Sequence, residues 1–78
     1  MAIHVRFFAS LREQMGASDK EISSDGILTV TDVWASVSDR PLPDSILYAV
    51  NMDYAESMTA VKDGDEVAFF PPVTGGGV

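Results

Sequence analysis

Cysteine is missing from the 78 residues, which excludes disulfides, a thiolate metal site and a cysteine nucleophile. Basic residues are scarce: five Lys and Arg stand against twelve Asp and Glu, a net charge of −7. Gripping a phosphate backbone takes clustered Lys and Arg. Nucleic acid and anionic membrane are therefore excluded as partners, and a basic protein surface is the complement this acidity favours. Solubility alone is the plainer use of the same charge. No apolar run approaches the roughly 18 residues of a membrane span, and the opening M-A-I-H-V-R-F-F lacks the basic-then-apolar pattern of a signal peptide. A cytoplasmic protein is expected. The one histidine, His4, has no Cys, second His or carboxylate cluster in sequence to make it a ligand, so it reads as a surface residue and no metal is expected.

What is present is enough for one domain. A hydrophobic fraction of 46% with 22% charged residues is the balance of a folded chain rather than a disordered one. Ile3, Val5 and Phe7 alternate with His4, Arg6 and Phe8, the pattern of a strand with one buried face. Ala9 to Met15 is rich in helix formers and stops at Gly16; Lys20 to Ser23 reads as a second strand, with a turn at Ser24-Asp25-Gly26. The clearest helix starts at Thr29, whose hydroxyl caps it while Asp32 faces its positive end. Val30, Val33, Trp34 and Val37 lie on one face of it, and Pro41 and Pro43 prevent its continuing. Ile46 to Met52 reads as a strand, Lys62 to Glu66 as a tight turn, and Val67 to Phe70 as the last strand, closed by Pro71 and Pro72. The order predicts an α+β fold: a mixed sheet with one main helix on one face.

Side-chain chemistry is thin. Asp63-Gly64-Asp65-Glu66 lacks the ladder of a calcium loop and reads as a solvated turn. Ser36 and Ser38 lie near Asp39 with no histidine to activate either. Gly75-Gly76-Gly77 is followed by no helical sequence, so it is no phosphate loop. Trp34 and the four methionines read as core and gap-filling residues. Phe8 and Phe70 are the exception: alternation sends both to the sheet face that the main helix does not cover, where large apolar groups mark a partner surface.

The stretch K-D-G-D-E-V-A-F-F-P-P-V-T-G-G, Lys62 to Gly76, carries more. With V-R-F-F-A-S-L-R-E near the start, the Thr29-Val30 helix entry and the Val50-Asn51 pair, it resembles the small-subunit family of molybdopterin synthase, which are ubiquitin-like sulfur carriers. The resemblance covers essentially the whole chain; a Gly-Gly ending alone is shared by many such carriers, and Phe69 to Val73 is the discriminating part. It implies a β-grasp domain over residues 1–72 and a flexible glycine-rich tail over 73–78. It also implies a carrier that is not an enzyme on its own and binds no cofactor. The expected partners are an activating enzyme that uses ATP to adenylate the terminal glycine carboxylate, and a large catalytic subunit in a heterotetramer of two small and two large subunits. The tail, as a thiocarboxylate, would give up its sulfur to form the dithiolene of molybdopterin.

By the same resemblance Gly76 is the reacting residue, Val73, Thr74, Gly75 and Gly76 thread into the partner, and Phe8, Phe70, Pro71 and Pro72 contact it. Glycines suit a channel that closes around the backbone, since any Cβ widens the thread, and the prolines stop the tail from joining the sheet. One departure stands out: Gly77 and Val78 follow the second glycine of the family pattern, so either they are removed, or they are tolerated, or this copy is not a competent carrier. Loss of Val78 alone also leaves a Gly-Gly end, and removal of both, leaving Gly76, is the expectation for sulfur loading. Two other readings remain at this point, a related carrier serving thiazole or tRNA thiolation and a non-conjugating ubiquitin-like interaction module.

Overall fold

The structure, a computed structural model, describes residues 2–42 and 45–71. Strand β1 (Ala2–Phe7) alternates as its sequence requires, with Ile3, Val5 and Phe7 fully buried and His4 and Arg6 exposed. Helix α1 (Ser10–Met15) follows and ends at Gly16, whose φ of 73° is the left-handed cap that glycine adopts without strain. Strand β2 (Asp19–Ser23) then returns antiparallel to β1. Helix α2 (Val30–Val37) crosses the sheet, and β3 (Leu47–Val50), β4 (Asp53–Ala55) and β5 (Glu66–Phe70) complete it. The strand order is β2-β1-β5-β3-β4, with β1 and β5 parallel at the centre and the other pairs antiparallel. This is a β-grasp sheet holding one main helix.

One face of the sheet makes the core. Ile3, Val5, Phe7, Val67 and Phe69 pack against Val30, Val33 and Trp34 of α2. Phe69 is the hub: Trp34 meets its ring edge-on with centroids 5.1 Å apart, and Phe7 stacks on it at 6.0 Å. The buried indole N–H of Trp34 donates to the Arg40 carbonyl at 2.9 Å, so the one polar atom of that side chain is satisfied and holds the turn after α2 in place.

Three expectations need correcting. Sequence alternation points to four strands, but the Ile46–Met52 run divides: β3 stops at Val50, Asn51 and Met52 turn, and the short β4 pairs back. Both turn residues have positive φ, 52° and 74°, which is the two-residue geometry that matches strand twist. Asn tolerates it and Met does not signal it, so the turn is hidden in the sequence. Met52 and Met58 are exposed rather than core, because each sits in a turn. And the first helix begins at Ser10, not Ala9, since Ala9 has φ 54°, ψ −132° and lies outside the helix.

Candidate functional site: the uncovered sheet face

On the face away from α2, strand register lines up Arg6, Ala68, Ala49 and Tyr54 in one row across four strands. Two alanines at the middle of that row leave a low floor, and larger side chains stand around it. The result is a hollow of about 290 Å³ lined by Arg6, Phe8, Met52, Tyr54, Glu66 and Phe70 above Ala49 and Ala68. That lies at the small end of ligand pockets, which run to about 1,000 Å³, and suits one or two inserted side chains. Phe70 is the central wall: Phe8 meets it edge-on at 6.2 Å and Tyr54 lies 5.9 Å away on the other side. Phe8 is 39% exposed and Tyr54 77%, so the aromatic cluster faces solvent. The expected pairing of Phe8 with Phe70 on the open face is what the strands produce.

Phe8 continues the outward phase of His4 and Arg6 one residue past the end of β1. Its N–H still donates to the Phe69 carbonyl at 3.1 Å, and its own carbonyl accepts from Leu11 at 3.1 Å. Between them Ala9 takes a backbone conformation with φ 54°, which costs a non-glycine residue on the order of 1–3 kcal/mol. The bend comes after Phe8 and turns the chain into α1, while alternation separates Phe7, inside, from Phe8, outside.

The far wall is fixed by a polar knot around the buried Asp65. Asn51 Nδ2 donates to Asp65 Oδ1 at 3.0 Å, the Lys62 N–H donates to Asp65 Oδ2 at 2.9 Å, and Asn51 Oδ1 accepts from the Glu66 N–H at 3.0 Å. Asp65 is only 6% exposed, so it does not belong to a solvated turn as its acidic neighbours suggested; Asp63 and Gly64 do. The Asn51 amide and then the Lys62 N–H hold its carboxyl below the usual 3.8, against the opposing effect of burial. This ties the β3–β4 turn, and with it Met52 and Tyr54, to the entrance of β5.

Arg6, Met52, Tyr54 and Glu66 are site residues that sequence reasoning missed. Tyr54 lies on the unread strand and Met52 on the hidden turn; only the alternation of Arg6 with core residues offered a signal. Pro71 is half-buried and follows Phe70 directly. Pro72, Val73, Thr74, Gly75, Gly76, Gly77 and Val78, and with them the boundary of the tail, lie outside the described residues. A larger open cleft of about 690 Å³ lies beside Pro71, between α1 and the turn after α2. It has neither the aromatic cluster nor the convergent register of the hollow. His4 is exposed, and among the described residues no group of His, Asp and Glu is placed to hold a metal ion.

A mixed five-stranded sheet with one main helix on one face and an aromatic hollow on the other defines a ubiquitin-like β-grasp domain. The chain belongs to the ThiS family, which it matches over residues 5–76. It is 42% identical over 80 residues to the molybdopterin synthase sulfur carrier subunit of Escherichia coli (strain K12), covering 95% of this chain and 99% of that one. The crystal structure of SAMP1 from Haloferax volcanii is similar with a TM-score of 0.79 and 29% identity, covering 95% of this chain and 98% of that chain. A chain of the protein–protein complex of subunits 1 and 2 of molybdopterin-converting factor from Helicobacter pylori 26695 shares the fold, with a TM-score of 0.66, 22% identity and coverage of 94% and 96%.

Proposed function

We propose that the protein is the sulfur-carrying small subunit of a molybdopterin synthase, working in the cytoplasm with a large catalytic subunit and an ATP-using activating enzyme. The observation that carries this reading is the 42% identity, over nearly the whole of both chains, to a protein named as that sulfur carrier. The hollow beside the departure of the tail supports it, because a carrier must dock its body while presenting its end. Adenylation places AMP on the Gly76 carboxylate and releases pyrophosphate. A sulfide-level donor (HS−) then attacks the acyl carbon, the new C–S bond forming as the C–O bond to AMP breaks, to leave the thiocarboxylate and free AMP. The large subunit takes the threaded residues Val73 to Gly76 and uses the sulfur for the dithiolene, in an assembly of two small and two large subunits. The protein is a donor in this scheme and the catalysis belongs to its partners.

Gly76 is followed by Gly77 and Val78, and the family match also ends at Gly76. A reacting carboxylate on Gly76 therefore needs the Gly76–Gly77 bond cut. Two extra residues displace the terminal carbonyl by up to about 7 Å, and a misplacement of about 1 Å costs on the order of a hundredfold in rate. The chain ending at Gly76 should acquire the thiocarboxylate with activating enzyme, ATP and a sulfur source, the one ending at Gly77 less, and the 78-residue chain not at all. Intact mass reports the replacement of oxygen by sulfur in each. Equal conversion with Val78 still attached would overturn the assignment of Gly76.

A further inference from the structure

We propose that Arg6 is a positioning residue for docking: its guanidinium, anchored on Glu66, holds the Phe8 ring as one wall of the hollow. The inference rests on the docking reading above and extends it to a residue outside the aromatic cluster. Phe8 lies past the last residue of β1 and touches Phe70 only edge-on at 6.2 Å. At 39% exposure such a ring has freedom to lose when a partner closes on it, and loss of side-chain freedom weakens association.

Arg6 removes part of that freedom beforehand. It stands two residues before Phe8, on the same face, with its guanidinium carbon 5.4 Å from the ring centroid, inside the roughly 6 Å reach of a cation–π contact. The same group is tied at 3.2 Å to Glu66 on the neighbouring strand. Both side chains are well exposed, 48% and 38%, so the ion pair by itself adds little stability. Its consequence is geometric: a planar cation fixed to β5 at one edge lies over a ring that β1 has released. A partner covering the face excludes water from the contact and strengthens it. The pairing also answers the Glu66 carboxylate, leaving the alanine floor and aromatic walls to an apolar side chain of the large subunit. Lysine cannot stack and pair in this way at once, because its charge is a point rather than a plane.

The test is a double-mutant cycle in the native chain, with Glu66→Gln as a further single variant that releases the anchor and should reproduce part of the Arg6→Met effect only while Phe8 is present. The parent, Phe8→Ala, Arg6→Met and the double variant are released from immobilised large subunit at low and high salt, with circular dichroism confirming that each is folded. Phe8→Ala should speed dissociation by about tenfold or more. Arg6→Met should speed it by about threefold to tenfold at both salt concentrations, and should add nothing once Phe8 is alanine. In the free protein, ring-current shifts on the Arg6 side-chain protons should vanish in Phe8→Ala. If Arg6→Met costs as much without Phe8, or its effect disappears at high salt, Arg6 acts as a charge and the proposal is overturned. If Phe8→Ala dissociates like the parent, the docking reading itself falls, and the role of Arg6 with it.

Discussion

Asp65 shows how much one residue of this small domain holds together. Its carboxylate accepts from the Asn51 side chain and the Lys62 main chain, and its own carbonyl accepts from the His4 N–H at 3.0 Å. Strands β1 and β5 and the β3–β4 turn therefore meet at one buried group. Removing it leaves two donors without partners, and Asp65→Ala should cost about 1.5–3 kcal/mol, the range for hydrogen bonds to a charged group. The pH dependence follows from the direction of the shift. The folded pKa lies below the usual 3.8, so the stabilisation is complete above the unfolded value and is lost as pH falls through the folded one. Thermal unfolding between pH 7 and pH 2 should show the wild type losing an advantage over Asp65→Ala only below about pH 4. Curves that stay parallel throughout would mean that the charge is not what holds the knot.

Among the elements, α2 depends most on its ends. It has eight residues, fewer than the 12–15 or so that an isolated helix needs to be even marginally stable. Its start is a reciprocal cap, but the two halves are unequal. Asp32 Oδ2 accepts from Leu28 and Thr29 N–H groups at 2.9 and 3.1 Å, whereas Thr29 Oγ1 accepts one bond, from Asp32, at 3.4 Å. Asp32→Ala should therefore destabilise more than Thr29→Ala, by about 1.5–2 against about 0.5–1 kcal/mol. Urea denaturation of both variants checks the order, and a larger loss for Thr29→Ala would reverse it. This helix was legible in the sequence because capping and a buried stripe coincide within nine residues. Strand β4 was not: it has three residues, too few for alternation to register, and its turn lacks the glycine that usually announces one.

For the whole molecule the dominant property is charge. With a net −7 on 78 residues, association with a partner of basic surface should be steered at long range and screened by salt. Stopped-flow mixing with the large subunit should show the association rate falling about tenfold or more between ionic strengths of about 0.01 and 1 M. A rate indifferent to salt would leave the acidity as a solubility feature.

Sequence alone determined the order of the long elements, the helix cap, the choice of Phe7 and Phe69 for the core and the outward turn of Phe8 and Phe70. The faces follow from the period of two in strands and 3.6 in helices, and the cap from a hydroxyl and a carboxylate three residues apart, all of them local to one stretch of chain. Only the tertiary structure decided that Ala49 and Ala68 make a floor, that Tyr54 and Met52 stand beside Phe70, that Arg6 reaches Glu66, and that Asp65 is buried. Arg6 and Glu66 lie 60 positions apart, and Asn51 and Asp65 lie 14 apart. Contacts between distant residues are set by strand order and register, which alternation within each strand does not encode.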